Sequence, residues 1–374
     1  MLAPHSKASV FDVDTTFRNI PIHPSARNFV ALMFDGLVYL DQCLNFGKVS
    51  SPGIWGHVAD AMVHILLNSG IEAFIKWVDD FIFFRYPRLS FGNDLYEYSY
   101  NKWLICSVAK ELGWPWALSR FVAFAFFFLY IGFHWDIEKK TVELPVAKKL
   151  KYSSKISNFL SVVSHMKGEA GSVVCTLKHV TLVVPQGCSY LASPHCFVSG
   201  FKDDSQPFTC HHHTKPMVDD LNWWLEQLKL EFLGLHIVNP PPVDESFILF
   251  IDASTSWGIG LILNGRWLAW QFKPNWSGNG HHIGWAEMVA IELAILTLVM
   301  SHVKNSHICI LSDNQGVVGA LKAGYSRGPA QNASLRCIIS TMQEHSIWLL
   351  VVLIPSASNL ADDPSQGVFP TRPS

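Results

Sequence analysis

The chain has 374 residues, 49% of them hydrophobic, and a formal net charge of −2. This is enough for two or three domains with sizeable cores, and it argues against disorder. The near-neutral charge argues against gross electrostatic capture of nucleic acid but leaves room for a local basic channel. Eight cysteines without a Cys-x-x-Cys pair read as free thiols in a reducing compartment, not as a disulfide framework or zinc ribbon. The stretch Met1 to Lys7 has no apolar signal core, and the apolar run Phe121 to Phe133 is too short to span a bilayer. An intracellular protein of cytoplasm or nucleus, with no transmembrane segment, is the expectation.

In chain order, Ser9 to Asp14 reads as a short strand carrying two carboxylates, Asp12 and Asp14. Thr15 to Ile20 turns away, and Pro21-Ile22-His23-Pro24 breaks the chain. Phe29 to Phe34 and Leu37 to Leu40 flank Asp35-Gly36, a strong hairpin signal. After the small-residue loop Asn45 to Gly53, apolar residues recur at helical spacing from Ile54 to Asn68, and Gly70 ends the helix. Phe74 to Phe84 then reads as an apolar hairpin with Asp79 and Asp80 in its tight turn. Two carboxylates side by side repel each other unless a positive charge neutralises them, and hard oxygen ligands suit magnesium. An Asp-Asp pair capping a hairpin in water is the competing reading, since Asp is common in turns.

Residues 86–101 read as polar and irregular, and Trp103 to Leu112 as an amphipathic helix stopped by Gly113. Phe121 to Trp135 reads as a hydrophobic hairpin, and Ala147 to Val163 as a helix with lysines on one face. Such a face is usually solvated, although it can also touch a phosphate backbone. Gln206 to Pro216 is an expected linker. Its Cys210-His211-His212-His213 run is better read as a polar loop than a metal site, because no second ligand pair stands at finger spacing. Val218 to Leu230 is a helix, and Pro240-Pro241-Pro242 the clearest boundary. Beyond it the pattern becomes strand Phe247 to Ile251, hairpin strands Gly258 to Leu263 and Arg266 to Phe272, helix Trp285 to Met300 and strand His307 to Leu311. Helices Gln315 to Ala323 and Ala333 to His345 and strand Trp348 to Ile354 complete it. That is a mixed α/β domain.

In this last region Asp252, Glu287, Asp313 and Asp362 fall at strand ends and a helix start, so a sheet edge can gather them. Four gathered acids repel strongly without cations. Two shared divalent ions would activate a water and stabilise the leaving oxygen of a phosphodiester. Acids capping helices and strands in any α/β domain are the bland alternative.

Ile251-Asp252-Ala253-Ser254, Ala286-Glu287-Met288-Val289-Ala290, Leu311-Ser312-Asp313-Asn314 and Asn359-Leu360-Ala361-Asp362 together resemble the four acidic motifs of a type 1 ribonuclease H. The last motif has one residue fewer between Asn and Ala than the family pattern. Ser365-Gln366 stands where Ser-Arg is often found, and the loop Ile354 to Ser358 lacks the family's histidine. The N-terminal half resembles the palm of a reverse transcriptase. In Asp12-Val13-Asp14-Thr15-Thr16-Phe17, the resemblance makes Asp12 a metal ligand, Phe17 the steric gate against a ribose 2′-hydroxyl, and Asp14 structural. Asn45-Phe46-Gly47-Lys48-Val49-Ser50-Ser51-Pro52 resembles the template and nucleotide loop, with Asn45 and Lys48 as departures, which implies nucleotide contacts at Phe46 and Gly47. Val78-Asp79-Asp80 resembles the catalytic hairpin, Leu112-Gly113-Trp114 the motif after it, and Leu129 to Phe133 the primer grip.

The order polymerase, tether, ribonuclease H is that of retrotransposon polyproteins, and the wording around Phe17 to Pro24 and Lys76 to Asp80 looks most like the DIRS-like tyrosine-recombinase elements of fungi. The resemblance implies an α+β, mixed α/β architecture: a palm at 1–145, a thumb, connection and tether at 146–243, and a ribonuclease H-like domain at 244–374. It implies Mg2+ or Mn2+ at Asp12, Asp79 and Asp80 and again at Asp252, Glu287, Asp313 and Asp362. The implied partners are an RNA template, a DNA primer, RNA–DNA hybrid and deoxynucleoside triphosphates. Only eleven residues precede Asp12, where the family has its fingers, so a truncated element with impaired polymerisation is expected. The alternative is a domesticated, non-catalytic nucleic-acid-binding remnant.

Overall fold

The computed structural model describes residues 3–91, 95–201, 209–278 and 281–369. The fold is mixed α/β, and the chain divides after Pro145 into two compact units.

In the first unit the central strand is β1 (Lys7–Asp12). A 3-10 turn at Thr16–Asn19 follows, then the hairpin β2 (Ala31–Phe34) and β3 (Leu37–Leu40). Its turn is made by Asp35 and Gly36, at φ 50° and 73°, the left-handed region that suits these residues. Helix α1 (Ser51–Asn68) begins with Pro52 in its first turn and ends before Gly70, and it buries Trp55, Ala59, Met62 and Leu66. The apolar stretch after it forms β4 (Phe74–Trp77) and β5 (Asp80–Arg85).

The tight turn therefore holds Val78 and Asp79, one position earlier than the sequence suggests, and Asp80 opens β5. Pairing of Trp77 with Asp80 fixes that register. Within 86–101, expected to be irregular, β6 (Pro87–Ser90) and β7 (Tyr96–Tyr98) pair, too short and polar to stand out in a pattern. Helix α2 (Lys102–Glu111) is capped by the Asn101 side chain, which accepts from Leu104 N.

The aromatic run at 121–135 splits. Strand β8 (Val122–Ala125) joins β1, whereas β9 (Phe127–Tyr130) and β10 (Phe133–Asp136) make a hairpin extended by β11 (Thr141–Glu143). The main sheet of this unit runs β4-β5-β1-β8, all antiparallel. Because β5 and β1 are its inner strands, Phe81, Ile82 and Phe83 are buried in sequence, on both faces. Phe11, Phe81 and Phe83 pack with Trp55 and Met62 of α1 and Ile105 of α2.

The second unit opens with α3 (Val146–Leu160), β12 (Ser164–Met166), α4 (Lys167–Val180) and α5 (Ala192–Ser199). The lysine face of α3 is only partly solvated. Lys149 is buried and donates to the carbonyls of Leu230 and Glu231, and Lys155 donates to Ser172 and Thr176. Of the expected linker, 206–208 lie outside the described residues. Cys210–His212 form β13 against β12, and α6 (Lys215–Leu228) starts before the linker was expected to end. Within that run His211 stacks on Phe201 at 4.1 Å.

After the short strand β14 (Gly234–His236) and the proline run come β15 (Leu249–Ala253), β16 (Gly258–Leu263) and β17 (Arg266–Gln271). Then follow α7 (Ile283–Met300), β18 (Ser306–Ser312), α8 (Gln315–Ala323), α9 (Pro329–His345), β19 (Ile347–Leu353) and α10 (Asp362–Ser365). The sheet order is β17-β16-β15-β18-β19, parallel across β15-β18-β19 and antiparallel elsewhere. Helix α7 is long and apolar enough to cross a bilayer, but its Met288, Ile291, Ala294, Ile295 and Leu298 are core residues of this unit.

Two side-chain bridges tie α6 and its neighbours to α9. Buried Asp220 accepts from Arg336 at 2.8 Å, and buried Asn332 donates to Ser189 O at 2.6 Å.

Candidate active sites

The tighter acid cluster lies in the second unit. Strand β15 carries Asp252, the next strand of the sheet, β18, ends one residue before Asp313, and α7 presents Glu287 from its first turns. Parallel pairing of β15 with β18 puts both strands' C-terminal ends on one edge. One ligand oxygen from each of Asp252, Glu287 and Asp313 lies within 4.8 Å of the others.

Asp252 and Glu287 are 6% and 4% exposed, so water does little to screen them. Burial pushes the Glu287 carboxyl from its ordinary range to about 8, with Asp252 and Asp313 adding repulsion. Burial likewise pushes Asp252 to about 6, against the stabilising Ser365 hydrogen bond. Glu287 Oε2 is buried with no hydrogen-bond partner. A self-repelling oxygen cluster with an orphaned buried oxygen fits a hard divalent cation.

Two residues brace this cluster. Asn359 Nδ2 donates to Ile251 O at 2.9 Å and to Asp313 Oδ1 at 3.2 Å, and it stands 3.5 Å from Asp252 Oδ1. Ser365 Oγ donates to Asp252 Oδ2 at 2.5 Å. Both sit in the segment that reaches α10, which lies close over β16. A Cβ on Gly260 would meet Ala361 O and Ser365 N at 2.5 Å each, so only glycine admits that approach.

Asp362, the fourth expected acid, is exposed, and its Oδ1 accepts from Gln366. It is near enough to raise Asp252 but stands outside the three-residue group. Asp363 beside it is also exposed.

The second cluster lies in the first unit. Asp12 at the end of β1 pairs in register with Asp80 at the start of β5. Asp79 comes to them on the turn, which is pinned from two sides: Val13 N donates to Asp79 O at 3.1 Å, and Trp55 Nε1 donates to Val78 O at 2.8 Å. Those contacts hold Val78 at φ 55°, a left-handed conformation that costs a β-branched residue on the order of 1–2 kcal/mol. Thr16 Oγ1 donates to Asp79 Oδ2 at 3.3 Å.

Burial raises Asp80 to about 6, with Asp79 and Asp12 adding to it. Asp12 is also raised, chiefly by burial, with Arg120 opposing. Asp12 Oδ1 is buried and unpartnered, while Oδ2 takes Arg120 Nη1 at 2.5 Å. Unlike the acids of the second unit, Asp12, Asp79 and Asp80 do not bring one ligand oxygen each within 4.8 Å of one another, and a guanidinium already neutralises one Asp12 oxygen. Beside the cluster, Phe17 is buried and meets exposed Phe46 edge-on at 5.1 Å, and Gly47 follows at φ 83°.

No protein-family model and no curated protein matches the chain. Among solved structures it is similar to a foamy viral protease-reverse transcriptase in complex with RNA/DNA hybrid. The identity is 16% and the TM-score 0.48, over 96% of this chain and 46% of that one. It is similar also to a foamy viral protease-reverse transcriptase in complex with dsDNA, at 15% identity and TM-score 0.44, over 95% of this chain and 69% of that one. The chain spans about half the length of the first of these structures.

Sequence reasoning named the acids but missed Arg120 and Thr16, and it gave no bracing role to Asn359 or Ser365. Arg120 carries no pattern of its own. Asn359 and Ser365 stand within or just beyond the last acidic motif, which was the available signal.

Proposed function

We propose that the chain is a retroelement polymerase–ribonuclease H. In this reading 1–145 form the polymerase palm, 146–243 the thumb, connection and tether, and 244–374 the ribonuclease H-like domain. Its substrates are RNA–DNA hybrid at the second cluster, and template, primer and deoxynucleoside triphosphates at the first. The observation that carries the reading is the convergence of Asp252, Glu287 and Asp313 with a buried, unpartnered Glu287 oxygen.

Paired divalent ions, magnesium or manganese, supply Lewis acidity that activates water and stabilises the leaving oxygen of a phosphodiester. Asp252, Glu287 and Asp313 would hold them, with Asp362 as the outer acid. Asn359 keeps Asp252 and Asp313 at a fixed separation, and Ser365 holds one Asp252 oxygen in place. In the palm, Asp12 and Asp79 are the principal ligands and Asp80 the weaker one. Phe17, backed by Phe46, excludes a ribose 2′-hydroxyl, and Phe46 and Gly47 line the nucleotide's approach.

The test is strand-resolved hydrolysis of an RNA–DNA hybrid by the full chain, with primer extension run beside it. Magnesium- or manganese-dependent cutting of the RNA strand is expected, lost in Asp252→Asn and in Asp313→Asn while both variants stay folded. Asp362→Asn should cut less than Asp363→Asn. Undiminished cutting by Asp252→Asn would sink the reading.

A further inference from the structure

We propose that Arg120 is a built-in, displaceable counter-cation of the first acid cluster, and that Asp14 is the carboxylate to which it withdraws when an ion takes Asp12. The inference rests on reading that cluster as a divalent-ion site. Arg120 Nη1 lies 2.5 Å from Asp12 Oδ2, and Nη2 of the same guanidinium lies 3.9 Å from Asp14 Oδ1. The planar fork thus already spans both carboxylates, as a lysine could not. Asp12 ends β1 and Asp14 stands in the turn that follows it, so one guanidinium reaches both.

The backbone around the arginine is fixed to the same segment. Asp14 N donates to Pro115 O, Ala117 N to Asp12 O, and Arg120 N to Ala117 O. What can move is the side chain, which is 55% exposed on its long stem. The two carboxylates differ in the way an exchange requires. Asp12 is 13% exposed and has one buried oxygen without a partner, whereas Asp14 is 61% exposed. Asp12 therefore needs a cation continuously, and Asp14 accepts one at little cost because water serves it otherwise. A guanidinium and a divalent ion on one carboxylate repel each other, so loading the ion expels the arginine. The palm would then stay neutralised at low ion concentration and fill above a threshold that Arg120 and Asp14 set together.

The test is manganese binding by the full chain, read by electron paramagnetic resonance. An Asp313→Asn background removes the second cluster's contribution, and melting curves confirm folding. Arg120→Ala should bind manganese about tenfold more tightly, because an opposing charge next to the ligand is gone, discounted for its exposure. Arg120→Lys should fall between. Asp14→Asn should weaken binding about threefold, since the arginine loses its second anchor and stays on Asp12. Asp14→Asn added to Arg120→Ala should do almost nothing, and that non-additivity separates an exchange from a general charge effect.

If Asp79→Asn and Asp80→Asn both leave the isotherm unchanged, no ion binds there and the underlying reading of the palm fails. If they weaken binding while Arg120→Ala leaves it equal or weaker, or if the two variants add, the exchange is overturned and the palm reading stands.

Discussion

Replacing Glu287 with glutamine should stabilise the metal-free protein in alkaline solution and do little in acid. The carboxyl is buried beside Asp252 and Asp313, and its folded-state pKa is about 8 against an ordinary 4.5. Between those values the folded chain holds a proton that the unfolded chain has released, so stability falls as pH rises through the window and levels off above it. At about 1.4 kcal/mol per pH unit, the full penalty is on the order of 5 kcal/mol. Asp252, raised to about 6, adds to the slope in the same direction.

The assay is urea unfolding in chelator at about pH 5 and about pH 8.5, either side of most of the window. Glu287→Gln should gain several kcal/mol on the parent at the higher pH and about 1 kcal/mol or less at the lower. Adding magnesium should reverse the order at the higher pH, because an ion bound to the folded carboxylates stabilises the parent by mass action. Equal gains at both pH values would refute the claim that Glu287 is a buried charge repelled by its neighbours.

Asn359→Ala should lower hybrid cleavage about 10- to 100-fold, as loss of a ligand-orienting partner does, and cost about 1–3 kcal/mol by orphaning the buried Ile251 carbonyl. Single-turnover rates and denaturant midpoints check both. Arg336→Ala should cost about 3–5 kcal/mol in denaturant unfolding because it strands buried Asp220, and Asp220→Asn in the same chain should recover much of the loss. Phe17→Val should raise incorporation of ribonucleotides relative to deoxynucleotides in primer extension, with the Phe17–Phe46 contact removed.

Much of the site was legible because its acids lie at strand ends and turns, where local pattern is strongest. Asp35-Gly36 announced its hairpin, and the apolar run from Phe74 announced the β4-β5 pair. The pattern misplaced Asp80 by one position, because an apolar run fixes that a hairpin exists but not which two residues turn it. Pairing of Trp77 with Asp80 decides that, and so does the Trp55 bond to the turn, which comes from a helix over twenty residues upstream. What the sequence withheld was contact across long separations. Arg120 reaches Asp12, and Asn359 and Ser365 reach Asp252, over more than a hundred residues of chain. Lysines on α3 looked like a solvated stripe, yet Lys149 is buried on two carbonyls that lie about eighty residues on. No period in a sequence encodes such pairings.

The central claim is that Asp252, Glu287 and Asp313 together hold divalent ions. Anomalous diffraction from crystals of the full chain soaked in manganese tests it most directly. The account predicts a peak between these three carboxylates, with oxygens at about 2.0–2.2 Å, and its loss in Asp313→Asn. A soaked crystal with no peak there, or with a peak of equal height in Asp313→Asn, would contradict it.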